Sequence, residues 1–286
     1  MNILILGKGF LGQKIYNYLQ LAHLSDSGNV DIFSKSELDY TNRVTLADYL
    51  SQHDYDFILN ASGYTGVPNI DAAEYDKEIC WKLNVEVPVT IVSAACYSKA
   101  TVIHISSGCI FSGYVKHWEE TDTPNFGLFN PGSSFYSKTK HAAETMIKDD
   151  AAILRIRMPF TGDVSPRNYF TKLLQYDNLI STPNSVTCVE DLCDAILKIC
   201  AHDDPIGVYH LVNEGTLTAK QVVECLAKYE LTNPNHRFID ISELKTKAPR
   251  SNCILSTKNT SKKIGPLPNA LESLEKCVKQ YATLIK

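Results

Sequence analysis

The chain has 286 residues, 44% of them hydrophobic, a formal net charge of −4 and a pI near 6.1. That is enough apolar material for one large α/β core, or a core with a small lobe, and it excludes the basic footprint of a nucleic-acid binder or of a protein drawn to an anionic membrane. Nine cysteines, an odd number with no C-x-x-C pair, exclude a secreted disulfide framework and zinc-ligand spacing, so no metal is expected and most of the cysteines are read as small buried hydrophobes in a reducing compartment.

The opening run Met1 to Gly7 is too short for a signal h-region and has no basic flank. Ile3 to Leu6 is fully apolar, as a strand buried on both faces of a parallel sheet would be. A glycine turn follows, and Phe10 to Leu21 has helical apolar spacing. Val30 to Phe33 reads as a second strand, Val44 to Leu50 as a helix and Phe57 to Asn60 as a third strand. Ala72 to Leu83 reads as one helix and Val85 to Ser98 as another, with Pro88 tolerated in its first turn. The second of these is the longest apolar stretch, but Glu86, Pro88 and Ser93 interrupt it, so no membrane span is expected. Thr101 to Ile105 is a fourth strand, Gly113 to Phe135 a long polar loop expected to face substrate, Ser137 to Ile147 a helix and Ile153 to Ile156 a fifth strand. Beyond Arg157, Tyr169 to Leu174, Glu190 to Cys200, Ala219 to Ala227 and Leu271 to Leu284 read as helices, and Gly207 to Leu211 as a strand. The rhythm predicts an α/β fold: a Rossmann-like, doubly wound parallel sheet with a smaller C-terminal substrate-binding lobe. The dinucleotide-binding domain is drawn over 1–157, plus roughly 183–211 returning to the sheet, and the lobe over 158–182 and 212–286. The expected location is the cytosol.

Gly7-Lys8-Gly9-Phe10-Leu11-Gly12 is G-x-G-x-x-G between a buried strand and an amphipathic helix. Gly7 suits the tight turn, Gly9 the approach of a pyrophosphate and Gly12 close helix–strand packing; with Phe10 and Leu11 they form the expected dinucleotide site. NAD enzymes usually end the second strand with an acid that bonds the ribose 2′-hydroxyl. Here Ser34 and Lys35 stand there and suit a 2′-phosphate, so NADPH is expected, with NADH as the alternative and Lys35 as a plain surface lysine the competing reading. Asp39 would neighbour the adenine, and Asn60, Ala61 and Ser62 would line the cofactor ribose.

Tyr136-Ser137-Lys138-Thr139-Lys140 contains Y-x-x-x-K, an i, i+4 pair on one helix face. A nearby ammonium lowers a phenol's pKa and lets it move a proton at neutral pH. Ser107, at the end of the fourth strand, adds a second donor aimed at one carbonyl. Glycine turn, strand-end serine and Y-x-x-x-K in this order resemble the extended short-chain dehydrogenase/reductase family. The stretches Gly66 to Asp71, Ser107 to Phe111, Thr123 to Phe126, Ser134 to Lys140, Arg155 to Pro159, Pro183 to Ser185 and Ala248 to Asn252 together resemble the UDP-4-keto-6-deoxyglucose 3,5-epimerase/4-reductases. They resemble dTDP-4-dehydrorhamnose reductases more faintly. The glycine turn departs from that pattern by being one residue shorter.

The resemblance implies a reductase set of Ser107, Tyr136 and Lys140, an epimerase pair of Cys109 and Lys172, and a homodimer. Two residues beyond Ser107, Cys109 would share its face in an extended backbone; on composition alone it reads as packing, and Lys172 as an exposed helix lysine. For the diphosphate of a UDP- or dTDP-linked 4-keto-6-deoxy sugar, Arg250 is the first choice and Arg167, beside Asn168, the second. Pro68, Asn69, Asn184 and Ser185 are expected at the sugar, with ordinary turn chemistry as the alternative. Trp118 and Tyr64 suit either ring stacking or core packing, and His104 is expected as a satisfied core histidine. Two rival functions remain: a reductase that takes an already epimerised dTDP sugar, and a cofactor-holding regulatory subunit without turnover.

Overall fold

The computed structural model describes residues 1–22 and 28–285; Lys286, the last residue drawn into the lobe, lies outside them. The chain runs β1 (Ile3–Leu6), α1 (Phe10–Ala22), β2 (Val30–Phe33), α2 (Arg43–Ser51), β3 (Phe57–Asn60), α3 (Lys77–Trp81), α4 (Val87–Ala95) and β4 (Thr101–Ser107). It continues with β5 (Gly113–Trp118), α5 (Phe135–Ile147), β6 (Ala151–Ile156), α6 (Tyr169–Gln175), β7 (Asn178–Ile180), α7 (Val189–Cys200) and β8 (Gly207–His210). The last elements are α8 (Ala219–Ala227), β9 (Arg237–Ile239), β10 (Cys253–Leu255), α9 (Lys258–Ile264) and α10 (Ala270–Ile285).

Six strands form one parallel sheet in the order β2-β1-β3-β4-β6-β8. Alternate residues of β1 feed opposite faces: Ile3 and Ile5 pack with Ile15 and Leu19 of α1 and Leu192 and Ile196 of α7, while Leu4 and Leu6 pack with Leu46 of α2 and Val87 and Ile91 of α4. Burial on both faces is why β1 is apolar throughout. The strand order reverses between β1 and β3, and the crevice beyond the strand ends at such a switch point is where α/β sheets bind ligands. A separate apolar cluster forms around Phe160, Phe170, Val186, Cys188, Leu217, Val222, Leu274 and Tyr281, and two further strand pairs, β5–β10 and β7–β9, lie outside the six-stranded sheet.

Two expectations about local structure are corrected. The stretch Gly113 to Phe135 does not face substrate over most of its length. Its first residues form β5, parallel to β10; Trp118 is buried, stacked on Phe111 with ring centroids 5.1 Å apart; and Glu120 accepts from Thr260 Oγ1 at 2.7 Å. The two helices read over 72–98 are instead a short 3-10 turn (Ile70–Glu74) and α3 running into α4 through a π-turn, Lys82–Glu86. There Val87 N–H bonds back to Lys82 O, five residues away. Pro88 therefore sits inside a continuing helix. The wider turn is what admits a residue with no N–H and a bulky ring.

Candidate active site

A cavity of about 880 Å³ opens beyond the ends of β1, β3, β4 and β6. At the end beside β1, Gly7 adopts φ 111° and a Cβ on Gly12 would lie 1.9 Å from Gly7 O, so the turn closes only with glycine at both places. A Cβ on Gly9 would meet nothing within 4 Å. Gly9, Phe10, Leu11, Ala61 and Ser62 line the wall, leaving open backbone at the helix start where a pyrophosphate fits. The glycine turn thus fits a dinucleotide by its own steric pattern. Asn60 is buried beneath the wall and accepts from Ser62 N (3.0 Å) and Oγ (2.6 Å), so it shapes the turn without lining it. At the end of β2 the structure adds an acid that strand-end reasoning missed. Glu37 accepts from Ser34 N (2.8 Å), Ser34 Oγ (2.7 Å) and Lys8 Nζ (2.5 Å), and these donors hold its carboxyl down at about 2. Lys35 and Asp39 are exposed nearby, and Asp39 accepts from Thr41 Oγ1 at 2.6 Å.

Ser107 and Tyr136 both line the cavity. Ser134 starts α5 by accepting from Ser137 N at 3.1 Å, which places Tyr136 and Lys140 one above the other. Two details differ from expectation. Burial, and then the neighbouring Cys109, push the phenol of Tyr136 up while Ser107 pulls it down, so in this state the phenol is a neutral donor and not a phenolate. Lys140 Nζ donates to Ile105 O at 3.0 Å, and its burial pushes it down to about 8. Sequence reasoning also missed Asn84, in the π-turn. It accepts from Tyr64 N (2.7 Å) and donates to Tyr64 O (3.0 Å) and Thr139 Oγ1 (3.1 Å). The 61–65 turn is thereby clamped to α5. A buried Asn four residues before a mid-helix Pro was the available signal.

Cys109 lines the cavity, though not by the expected route. Gly108–Ile110 is a 3-10 turn, not extended chain, capped by Ser107 Oγ accepting from Cys109 N at 3.1 Å. Ser137 Oγ bonds Cys109 O at 2.8 Å, fixing the turn against α5. Arg157 Nη1 donates to Cys109 Sγ at 3.6 Å. Lys172 lines the same cavity from α6, partly buried, with burial and then Arg167 lowering its pKa. Among the described residues no carboxylate pairs with it.

The expected substrate residues divide. Arg250, Arg167, Asn69 and Asn184 line the cavity. Arg250 is already paired with Asp71 at 2.9 Å. Arg167 donates only to Thr65 Oγ1 (3.0 Å) and Gly66 O (2.7 Å) and has no acid partner among the described residues, so the second choice holds the freer charge. Asn69 caps the 3-10 turn through Asp71 N at 2.9 Å. Asn184 accepts from Arg157 Nη2 at 2.7 Å. Pro68, Asn168 and Ser185 do not reach the wall. Pro68 is exposed. Asn168 is fully buried as the cap of α6 and donates to Thr161 O and Asp163 O, both at 2.8 Å. Ser185 is fully buried and accepts from Leu255 N at 2.9 Å. Tyr64 bonds Asp76. His104 bonds Asn60 Nδ2 at 3.1 Å through Nδ1, while its Nε2 has no partner, so it is only half satisfied.

A model of the RmlD substrate binding domain family matches residues 1–283. An Arabidopsis thaliana bifunctional dTDP-4-dehydrorhamnose 3,5-epimerase/dTDP-4-dehydrorhamnose reductase is 31% identical over 234 residues, covering 77% of this chain and 75% of its own. A trifunctional UDP-glucose 4,6-dehydratase/UDP-4-keto-6-deoxy-D-glucose 3,5-epimerase/UDP-4-keto-L-rhamnose-reductase of the same plant is 31% identical over 233 residues, 77% of this chain, but the match spans only 34% of that longer protein. The crystal structure of the L780 UDP-rhamnose synthase of Acanthamoeba polyphaga mimivirus superposes with a TM-score of 0.86 at 23% identity, over 98% of this chain and 99% of that one. Among the described residues no helix is long and apolar enough to cross a membrane.

Proposed function

The chain belongs to the RmlD substrate-binding domain family, and on that premise we propose that it converts UDP-4-keto-6-deoxy-D-glucose to UDP-L-rhamnose, inverting C3 and C5 and then reducing the C4 ketone with NADPH. The observation that carries the reading is that Ser107, Tyr136, Lys140, Cys109 and Lys172 all line one cavity beside the glycine turn. The nucleotide sugar would lie between the sheet ends and a substrate lobe built from 158–182 and 212–285, with Arg167 and Arg250 at the diphosphate. A cytoplasmic homodimer belongs to the same reading.

When bound at Gly9, Phe10 and Leu11, the nicotinamide dinucleotide supplies the hydride for C4. Ser107 and Tyr136 grip the C4 oxygen, and Tyr136, kept neutral by burial, gives its proton as the alkoxide forms. The same grip serves epimerisation. A ketone at C4 acidifies the hydrogens on C3 and C5, and the enolate that follows puts its charge on the oxygen already held. Cys109 and Lys172 exchange the carbon-bound protons from opposite sides of the ring. Lys8 and Lys35 suit a 2′-phosphate, whereas Glu37 suits a free 2′-hydroxyl; dissociation constants for NADPH and NADH measure which prevails.

The decisive experiment gives the purified chain NADPH and UDP- or dTDP-linked 4-keto-6-deoxyglucose in deuterated water. Deuterium at C3 and C5 of a rhamnose product is the expected result, with the UDP sugar turned over faster. Recovery of unlabelled substrate, with turnover only of an already epimerised sugar, reduces the chain to a reductase.

A further inference from the structure

Arg157 is among the largest fully buried side chains of the molecule, yet no carboxylate pairs with it among the described residues. A buried guanidinium without an acid is costly. Its donors instead meet neutral oxygens, Asn184 Oδ1 at 2.7 Å, Ser251 Oγ at 3.0 Å and Ser251 O at 3.2 Å, and one ionisable atom, Cys109 Sγ at 3.6 Å. Its Nε has no partner at all. The stem reaches the sulfur because residue 108 is glycine: a Cβ there would lie 2.9 Å from Arg157 Cγ and 3.0 Å from Cδ. Arg157 follows β6, and its backbone N–H is pinned by Thr187 Oγ1 at 3.0 Å.

We infer that Arg157 is the positioning residue of the epimerisation: it aims the Cys109 sulfur into the cavity and supplies the positive charge beside which that sulfur takes the proton of the sugar carbon. This rests on the epimerase reading above. In each exchange a C–H bond breaks, an S–H bond forms and the electron pair moves to the C4 oxygen under Ser107 and Tyr136. Lys172 then delivers a proton to the carbon from the other side. Nothing is oxidised or reduced, and solvent restores both groups. The ionisable groups around the sulfur are Arg157, Tyr136 from α5 and Cys253 from β10. Burial pushes the last two upward, so they are neutral near pH 7 and Arg157 is the fixed charge.

The test follows two readings in the full-length chain: deuterium uptake at C3 and C5 across pH, and the pH dependence of Cys109 alkylation by iodoacetamide, read by peptide mass spectrometry. A third arm, single-turnover oxidation of UDP-L-rhamnose by NADP⁺, needs no exchange at C3 or C5. Arg157→Gln is expected to slow exchange about 100-fold at neutral pH. Both its exchange and its alkylation profiles should move to higher pH, with NADP⁺ binding and the oxidation arm near wild type. Arg157→Lys, the milder change, is expected to keep the profiles near wild-type pH while losing rate, because an ammonium lacks the planar fork that bonds Asn184 and Ser251 while one nitrogen reaches the sulfur. Profiles of Arg157→Gln that superimpose on wild type overturn the inference, as does an equal loss in all arms with no shift. Should Arg157→Gln not fold, exchange and alkylation rates in Arg157→Lys equal to wild type overturn it too. No exchange in the wild type is a different failure and sinks the epimerase reading itself.

Discussion

The two halves of the cavity are built differently. Ser107, Tyr136 and Lys140 stand on the end of a seven-residue strand and on a thirteen-residue helix, each at most 8% exposed. Cys109 and Lys172 stand on a three-residue turn and a seven-residue helix, and both are only partly buried. In the proposed reaction the ketone oxygen would be held in one place through both steps, and the donors proposed for it are anchored in the sheet and its neighbouring helix, where packing fixes them. The groups proposed to work on the ring carbons would have to approach from the side and trade protons with water. Short elements at the rim, half open to solvent, allow that. On that reading, rigidity and exchange fall to separate parts of one cavity.

A crossed pair of substitutions would break or sharpen this contrast most. Tyr136→Phe should cut reduction by about 10²–10⁴ while NADPH binding holds and some exchange at C3 and C5 survives through Ser107. Cys109→Ser should abolish the exchange and spare reduction of a pre-epimerised ketone. If either variant loses both activities together, the halves are not separable. A smaller effect comes from Lys140. Its folded pKa, about 8, lies below the free value of 10.5. Its charge is therefore fully present below about pH 8 and lost as pH rises through it, and the rate of reduction should fall over the same range. Lys140→Arg, which stays charged, should move that limb upward. Between those two values the unfolded chain binds more protons, so this group makes the fold more stable as pH rises, which urea titrations at pH 7.5 and 9.5 (about two units apart) can read. The smallest expected effect lies outside the wall. Asn168→Ala should cost about 1 kcal/mol of stability in thermal unfolding and leave KM unchanged, because that side chain caps α6 and does not touch the cavity.

How much of this was legible varies from place to place for physical reasons. The β1 turn and the Tyr136–Lys140 helix could be read because each is a local object: glycine at fixed offsets, apolar residues at period 3.6, a pair four apart. Arg157 could not be read as a partner of Cys109, because the contact joins the residue after β6 to a turn after β4 and depends on the space left by Gly108. There was a partial signal, since two arginines in the run Ala151 to Met158 demand partners if the strand is buried; Arg155 finds Glu144 at 2.8 Å. Asn168 and Ser185 were mistaken for substrate contacts because a polar residue in a loop looks the same whether it bonds a ligand or a neighbouring backbone. Glu37 was missed at β2 because it reaches the strand end from three residues past Ser34. Cys188 and Cys277 were read as packing, and the structure adds that both thiols donate to Glu190, at 3.1 and 3.6 Å.

The π-turn at Lys82–Glu86 has a consequence for the numbering of the chain itself. It winds one surplus residue into the helix, and that surplus turns Asn84 toward Tyr64 and leaves room for Pro88. Deleting a single residue between Asp76 and Pro88 would restore a regular helix, drive the proline ring at the carbonyl four residues back and swing the preceding side chains by about 100°. Chimaeras with relatives therefore have to preserve the residue count across this stretch as strictly as any motif, since a graft that matches every letter but loses one position would leave the 61–65 turn without its clamp.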